Sequence, residues 1–237
     1  MNQSTIAIIY AMEKERATFL EFLTNIEVIS YMNVPFYSGI YQSYRIVLAQ
    51  CGVGKVNAAV VTTLLLDHFQ PILLINSGIA GGYDRGLQPL DIIIADQVIY
   101  SDVDMTTDIT TDLAYGQLQD MPVSFPTASH LIDNINTDDI VVRKLHRGTI
   151  LTGDQFVTDY YQIDRLVHLH FAEQNVKAID MESGAIAQVC YLYQTNCLIV
   201  RAISDVIGSN NPFEYQSFST AAANLSCAVV KRIISSL

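Results

Sequence analysis

VKAIDMESGAIAQVC, residues 176–190, is the stretch whose reading decides the fold. A short apolar run ends in two acids, Asp180 and Glu182, with Met181 between them, and a mostly small and apolar series follows. An apolar run of this length reads as a strand buried on both faces, and the alanine-rich continuation reads as a helix packed against it. The acids therefore occupy the seam where a strand gives way to a helix. For one such carboxylate, a solvated turn or a cap beside the helix dipole is the simpler reading. Repetition of the arrangement elsewhere in the chain favours a site instead.

The arrangement does repeat. TIAIIYAM (residues 5–12) leads into EKERATFLEFL (13–23), whose apolar positions at Ala17, Leu20 and Leu23 have helical spacing. YRIVLAQ (44–50) passes through CGVGK into VNAAVVTTLLLDHF (56–69), a long apolar helix, and Pro71 then opens the strand ILLINS (72–77). DIIIADQVIY (91–100), RGTILTG (147–153), VKAIDM and NCLIVRAIS (196–204) complete the strands. Helices are expected at about 160–173, 183–194 and 214–236. Such alternation predicts an α/β fold, a three-layer αβα sandwich around a central mixed, largely parallel sheet, with residues 1–237 forming one domain. One region is irregular: SDVDMTTDITTDLAYGQLQDMPVSFPT (101–127) is long and polar, as binding loops and partner contacts often are.

Composition limits the partners. Of 237 residues half are hydrophobic, and the formal charge is −11, which argues against a grip on nucleic acid or an anionic membrane. The partner is a small molecule or another protein. Cys51, Cys190, Cys197 and Cys227 lie in apolar segments without C-x-x-C spacing, so reduced core thiols are expected and no metal site is indicated. The N-terminus lacks the basic flank and apolar length of an export signal, and no run of 18 apolar residues occurs, which predicts a cytoplasmic protein.

In open α/β sheets ligands bind beyond the carboxyl ends of the strands. The residues there are Glu13 and Glu15, the glycine-rich GIAGG, Asp154 and Phe156, Glu182, and Asp205, with Arg201 inside the last strand. Several acids converging on one rim beside an internal arginine favour a site over independent solvated carboxylates. Two motif look-alikes fail. AQCGVGKV has Ala49 and Val56 where a phosphate-binding loop needs Gly and Ser or Thr, and GVGKVN places Asn57 at the third glycine of a dinucleotide fingerprint. His168 and His170 are two apart on a helix and cannot form an i, i+4 metal pair, so they read as surface residues. No G-x-S-x-G is present to supply an esterase nucleophile.

AIIYAMEKE, CGVGKVNAA, INSGIAGG, LTGDQF, IDMESGAIAQVC and VRAISDV resemble, in order and spacing, the bacterial 5'-methylthioadenosine/S-adenosylhomocysteine nucleosidases of the purine nucleoside phosphorylase superfamily. The pair DMES and RAISD is the specific part. The resemblance implies a homodimer that hydrolyses the bond between adenine and a 5'-thioribose, without metal or organic cofactor. Cleavage through an oxocarbenium-like transition state needs an acid at the departing base, a base for water and a hold on the ribose. By the resemblance, Asp205 donates to adenine N7, Ser204 orients its carboxyl, Glu15 takes the proton from water, and Arg201 holds the water or stabilises developing charge. Glu182 would accept from the ribose 2' and 3' hydroxyls with Met181 against the sugar, while Asp180 is structural. Phe156 would stack on adenine, the backbone of Val157 would read its edge, and Met12, Val53, Met105 and Tyr215 would line an apolar 5'-thio pocket, shared with the other subunit.

Two departures stand out. Ile79 occupies the place where the family's glycine segment usually carries serine, which removes a hydroxyl near the water and ribose, and the 101–116 loop is longer than the family pattern. Two other readings compete with hydrolysis. A nucleoside phosphorylase would supply an arginine and a serine to phosphate where this chain has Asn76 and Ile79. A non-catalytic nucleoside-binding protein would not need Glu15, Glu182 and Asp205 together.

Overall fold

A strand covered on both faces must be apolar at every position, and this rule organises the chain. The computed structural model describes residues 3–106, 112–133, 143–209 and 213–237; part of the long loop, residues 107–111, lies outside them. Its elements are β1 (Thr5–Tyr10), α1 (Glu13–Leu20), β2 (Thr24–Tyr31), β3 (Val34–Tyr41), β4 (Tyr44–Gln50), α2 (Lys55–Phe69), β5 (Leu73–Gly82), β6 (Ile92–Tyr100) and β7 (Phe125–Pro126). There follow β8 (Leu145–Thr152), α3 (Tyr160–His170), β9 (Val176–Asp180), α4 (Ser183–Tyr193), β10 (Asn196–Val206) and α5 (Glu214–Ser236). In β1, Ile6, Ile8 and Tyr10 join the apolar cluster under α1 and α5, whereas Ala7 and Ile9 join the one under α2 and α4. These two clusters are the interfaces of the three expected layers. A third cluster seats α3, through Ile163 and Val167, against β6, β8 and β9.

The sheet is mixed. Parallel pairs join β1 to β4 and β5, β5 to β10, β6 to β8 and β8 to β9. Antiparallel pairs join β2 to β3, β3 to β4, β5 to β9, β6 to β10 and β6 to β7, a larger share than the sequence suggested. Part of that share comes from the β2–β3 hairpin, which the sequence reading did not contain. Its two-residue turn, Met32 and Asn33, takes positive φ at both positions, and it lacks the Asn-Gly or Asp-Gly pair that usually announces such a turn. Because β10 pairs with both β5 and β6, the strands β5, β9, β8, β6 and β10 close on themselves. That closure gathers the carboxyl ends of β5, β8, β9 and β10, with β1 alongside. Two helices are shorter than their apolar patterns: α1 stops at Leu20 and α3 at His170.

Helix α4 starts hard against this closed part of the sheet. A Cβ added at Gly184 would lie 2.8 Å from Tyr100 Cε1 and 3.0 Å from Thr152 Cβ, so nothing larger than hydrogen fits without displacement. Gly184→Ala should therefore cost about 1–3 kcal/mol by overpacking. A lowered Tm in a thermal melt checks it; an unchanged Tm would mean that α4 can slide on the sheet.

Candidate active site

The seam between β9 and α4 is held from within by a buried ion pair. Arg201, 1% exposed in the middle of β10, donates through Nε and Nη2 to Asp180 Oδ2 at 2.8 and 2.7 Å. Asp180 also accepts from Thr152 Oγ1 at 2.6 Å and from the Ser183 hydroxyl, and Ser183 Oγ accepts from Arg201 Nη2 at 3.1 Å. Thr152 in turn accepts from the backbone N–H of Gly184 at 2.8 Å. The ends of β8 and β9, the middle of β10 and the first turn of α4 are thereby joined. The remaining guanidinium nitrogen runs along β5, where a Cβ at Gly78 would sit 2.0 Å from Nη1; only glycine admits the arginine.

Glu182 is presented by the same seam. Its Oε1 accepts from Gly54 N at 3.0 Å and its Oε2 lies 3.5 Å from Arg201 Nη2. Burial raises its pKa, Arg201 opposes the rise and Asp180 adds to it. Gly54 can aim its N–H because it has φ +96°, a conformation costly to residues with a side chain. The glycines of CGVGK thus serve a carboxylate inside the protein rather than a phosphate.

Glu15 stands in the first turn of α1 but faces inward. Its Oε2 accepts from Met12 N at 2.9 Å, the reach-back typical of the third residue of a helix, while Oε1 is buried with no protein partner. Burial pushes its pKa up to about 7, against the bond from Met12 and the charge of Arg201. Asp205 is the third raised carboxyl: burial is the main cause, the Ser204 hydroxyl donating at 2.6 Å opposes it, and the charge of Glu214 adds to it. The register of β10 against β5 shifts between Ile203 and Asp205, a bulge that re-aims the strand end.

These groups open on one cavity, lined by Met12, Glu15, Val53, Ile79, Phe156, Val157, Met181, Glu182, Arg201, Ser204, Asp205 and Tyr215 among others. Phe156 is 60% exposed and meets Tyr215 edge-on, with ring centroids 5.4 Å apart. Tyr215 Oη lies 3.9 Å from Met12 Sδ. One side of the cavity is therefore apolar and aromatic, and the other is acidic.

Residues 5–235 match the family model of the phosphorylase superfamily. A 5'-methylthioadenosine/S-adenosylhomocysteine nucleosidase of Anoxybacillus flavithermus is 37% identical over 234 residues, 98% of each chain, and one from Staphylococcus aureus is 36% identical over 98% of this chain and 100% of its own. The chain belongs to this nucleosidase family. Among solved structures, the nucleosidase of Neisseria meningitidis in complex with methylthio-immucillin-A aligns with a TM-score of 0.90 and 32% identity, covering 99% of this chain and 100% of that one.

Of the positions that resemblance to the nucleosidases singled out, the structure brings twelve of the thirteen to the cavity. Met105 is the exception: it is not among the lining residues of its own chain. Two rim acids also turn away, since Glu13 pairs with Arg16, and Asp154 accepts from Lys55 N at 2.8 Å. His168 and His170 are exposed, as their spacing suggested, and all four cysteines are buried and free. Gln155 and Ile207 line the cavity without having been singled out, and Gly81 comes to it from the GIAGG segment. Gln155 was within reach of the sequence, as the neighbour of Phe156 past a strand end; Ile207 carried no local signal. Among the described residues no group of acids, histidines and cysteines could hold a metal ion, and no helix is long and apolar enough to cross a membrane.

A buried carboxyl with a raised pKa has a definite effect on stability. Between its unfolded value near 4.5 and about 7, the unfolded chain ionises at Glu15 while the folded chain stays protonated, so stability falls as pH rises through that window and levels off above it. The loss is on the order of 3 kcal/mol. Glu15→Gln should remove it, so the variant gains on the wild type between pH 5 and pH 8 in denaturant titrations. A constant difference across that range would show that Glu15 ionises normally.

Proposed function

We propose that this protein hydrolyses the N-glycosidic bond of 5'-methylthioadenosine and S-adenosylhomocysteine, releasing adenine and the 5'-thioribose. The observation that carries the reading is the presence in one cavity of three carboxyls whose pKa burial raises, Glu15, Glu182 and Asp205. The solved relative bound to methylthio-immucillin-A supports the ligand class.

In the reaction, Asp205 gives its proton to adenine N7 as the bond from the anomeric carbon to N9 breaks and its electron pair passes to the base. Burial raises its pKa, which favours the form that can donate, and the Ser204 hydroxyl takes up Oδ1, leaving Oδ2 for the ligand. Water then adds to the oxocarbenium-like carbon, and Glu15 Oε1 takes its proton. With a pKa of about 7 Glu15 is partly ionised at neutral pH, as a base for water must be. Glu182 keeps lone pairs free beyond those engaged by Gly54 and Arg201, and these accept from the ribose hydroxyls. Phe156 and Val157 hold adenine; Met12, Val53, Ile79 and Tyr215 form the apolar wall that suits a thioether.

Phosphorolysis is disfavoured by the same residues. Asn76 is bound to Ser183, Ile79 offers no hydroxyl, and Arg201 is committed to Asp180 and Glu182, so a phosphate dianion would meet acids instead of donors. A homodimer is part of the proposal. Val53, Val56 and Val60 on and before α2, and Tyr191 and Leu192 at the end of α4, are exposed apolar residues on two helices that pack together, and Val53 also lines the cavity. The buried free thiols fit a reducing cytoplasm.

Incubation with methylthioadenosine, with and without phosphate, should yield adenine and free methylthioribose in both cases; a sugar 1-phosphate would replace the proposal with a phosphorylase, and no turnover would leave a binder. Asp205→Asn should lower kcat by about 10²–10⁴ while methylthioadenosine still binds, since the amide keeps the shape but cannot serve as the acid. Near wild-type turnover would remove Asp205 from its role. Glu182→Ala should cost the parent substrate more than its 2'-deoxy analogue, and equal losses would mean that Glu182 does not touch the sugar.

A further inference from the structure

The acid at the end of β10 is followed directly by a second carboxylate contact. Val206 N donates to Glu214 Oε2 at 3.0 Å, so the first turn of α5 is tied to the backbone one residue past Asp205. On the other side of Asp205, Ser204 donates to Oδ1 at 2.6 Å. The same turn carries Tyr215, which reaches Met12 Sδ, meets Phe156 edge-on and lies 5.7 Å beneath Lys14 Nζ. One turn of helix therefore both forms the cavity wall and grips the strand end that presents the acid.

We propose that Glu214 is a positioning residue for Asp205, fixing the strand end beside it and placing a second carboxylate close to it. The proposal rests on the nucleosidase reading of Asp205. An acid at the start of a helix is common for its effect on the helix dipole alone. Here, however, Glu214 spends an oxygen on Val206, eight residues away, rather than on its own helix. Among the described residues, no cation is turned toward Asp205. From β5, Gly81 presents a position whose Cβ would lie 3.8 Å from Oδ2; from β10, Ser204 offers a hydroxyl, while Arg201 is turned to Asp180 and Glu182. The loop after β8 contributes Gln155, Phe156 and Val157, and α5 contributes Glu214 and the Tyr215 phenol. Lys14 reaches toward Tyr215 from α1, and Glu15 on the same helix faces Arg201. Glu214 is thus the charge that acts on Asp205, and its sign disfavours ionisation, which keeps the proton available for the departing base.

The test compares Glu214→Gln, which keeps an oxygen for Val206 N but loses the charge, with Glu214→Ala, which loses both. In the free enzyme, carbon-13 NMR follows the titration of aspartate carboxyls, with Asp205→Asn assigning the resonance. Glu214→Gln should lower the Asp205 midpoint by roughly half a unit, and kcat/KM for methylthioadenosine at pH 8 should fall about threefold with KM near the wild-type value. Glu214→Ala should shift the midpoint similarly and raise KM as well, because the α5 turn loses its tie. An unchanged Asp205 midpoint in Glu214→Gln overturns the charge role, and an unchanged KM in Glu214→Ala overturns the positional one. If the wild type releases no adenine, it is the nucleosidase reading that fails, and the NMR midpoints still decide whether Glu214 acts on Asp205.

Discussion

Everything at the site depends on the buried pair of Arg201 and Asp180. A guanidinium that is 1% exposed must be satisfied from within, and Asp180, Ser183 and Glu182 all turn toward it. Removing one member of such a pair leaves an uncompensated buried charge, typically a loss of about 3–5 kcal/mol. The pair also fixes geometry: it joins β10 to the end of β9, and through Thr152 it joins both to β8 and the start of α4. The pleat of β5 gives way to accommodate it at Gly78, and β5 carries the glycine segment that borders the cavity.

Around this fixed positive charge the acids take different characters from their neighbours. Asp180, nearest the guanidinium, is its structural partner. Glu182 shares the arginine with Asp180 and accepts from a backbone N–H, an arrangement that orients it while leaving it able to bind hydroxyls. Glu15 is farther into the apolar layer, so burial outweighs the charge and brings it to about 7, in the range where a base for water works. Asp205 is raised mainly by burial, and the charge of Glu214 adds to the rise. In the proposed reaction, one arginine and four carboxylates divide the tasks of structure, substrate binding, base and acid by distance and burial rather than by residue type.

The apolar half of the cavity follows a different logic. Met12, Val53, Ile79 and Tyr215 come from four separate segments: Met12 and Val53 follow β1 and β4, Ile79 lies within β5, and Tyr215 stands in the first turn of α5. Ile79 shows the balance between the halves. It packs partly into the apolar cluster under α1 and α5 and partly into the cavity, so the place of a hydroxyl is taken by a side chain that extends the thioether wall.

The sequence by itself determined the layers, because strands covered on both faces have to be continuously apolar and their helices have to be amphipathic or small-residue rich; β1, β9 with α4, and β10 with α5 were legible for that reason. It also placed Glu15, Glu182 and Asp205 just beyond strand ends, where binding sites of such sheets lie. The β2–β3 hairpin was not legible, because β2 is largely exposed and its Met32-Asn33 turn has no distinctive signal. Nor could the chain alone separate Glu13 and Asp154 from the acids that face inward, since all sit at similar rims and only packing decides which way a helix turn rotates. The bond from Gly54 to Glu182 spans 128 residues, and the path of Arg201 past Gly78 needs β5 and β10 side by side. Those relations are properties of strand pairing and closure, which arise between segments and are encoded in none of them alone.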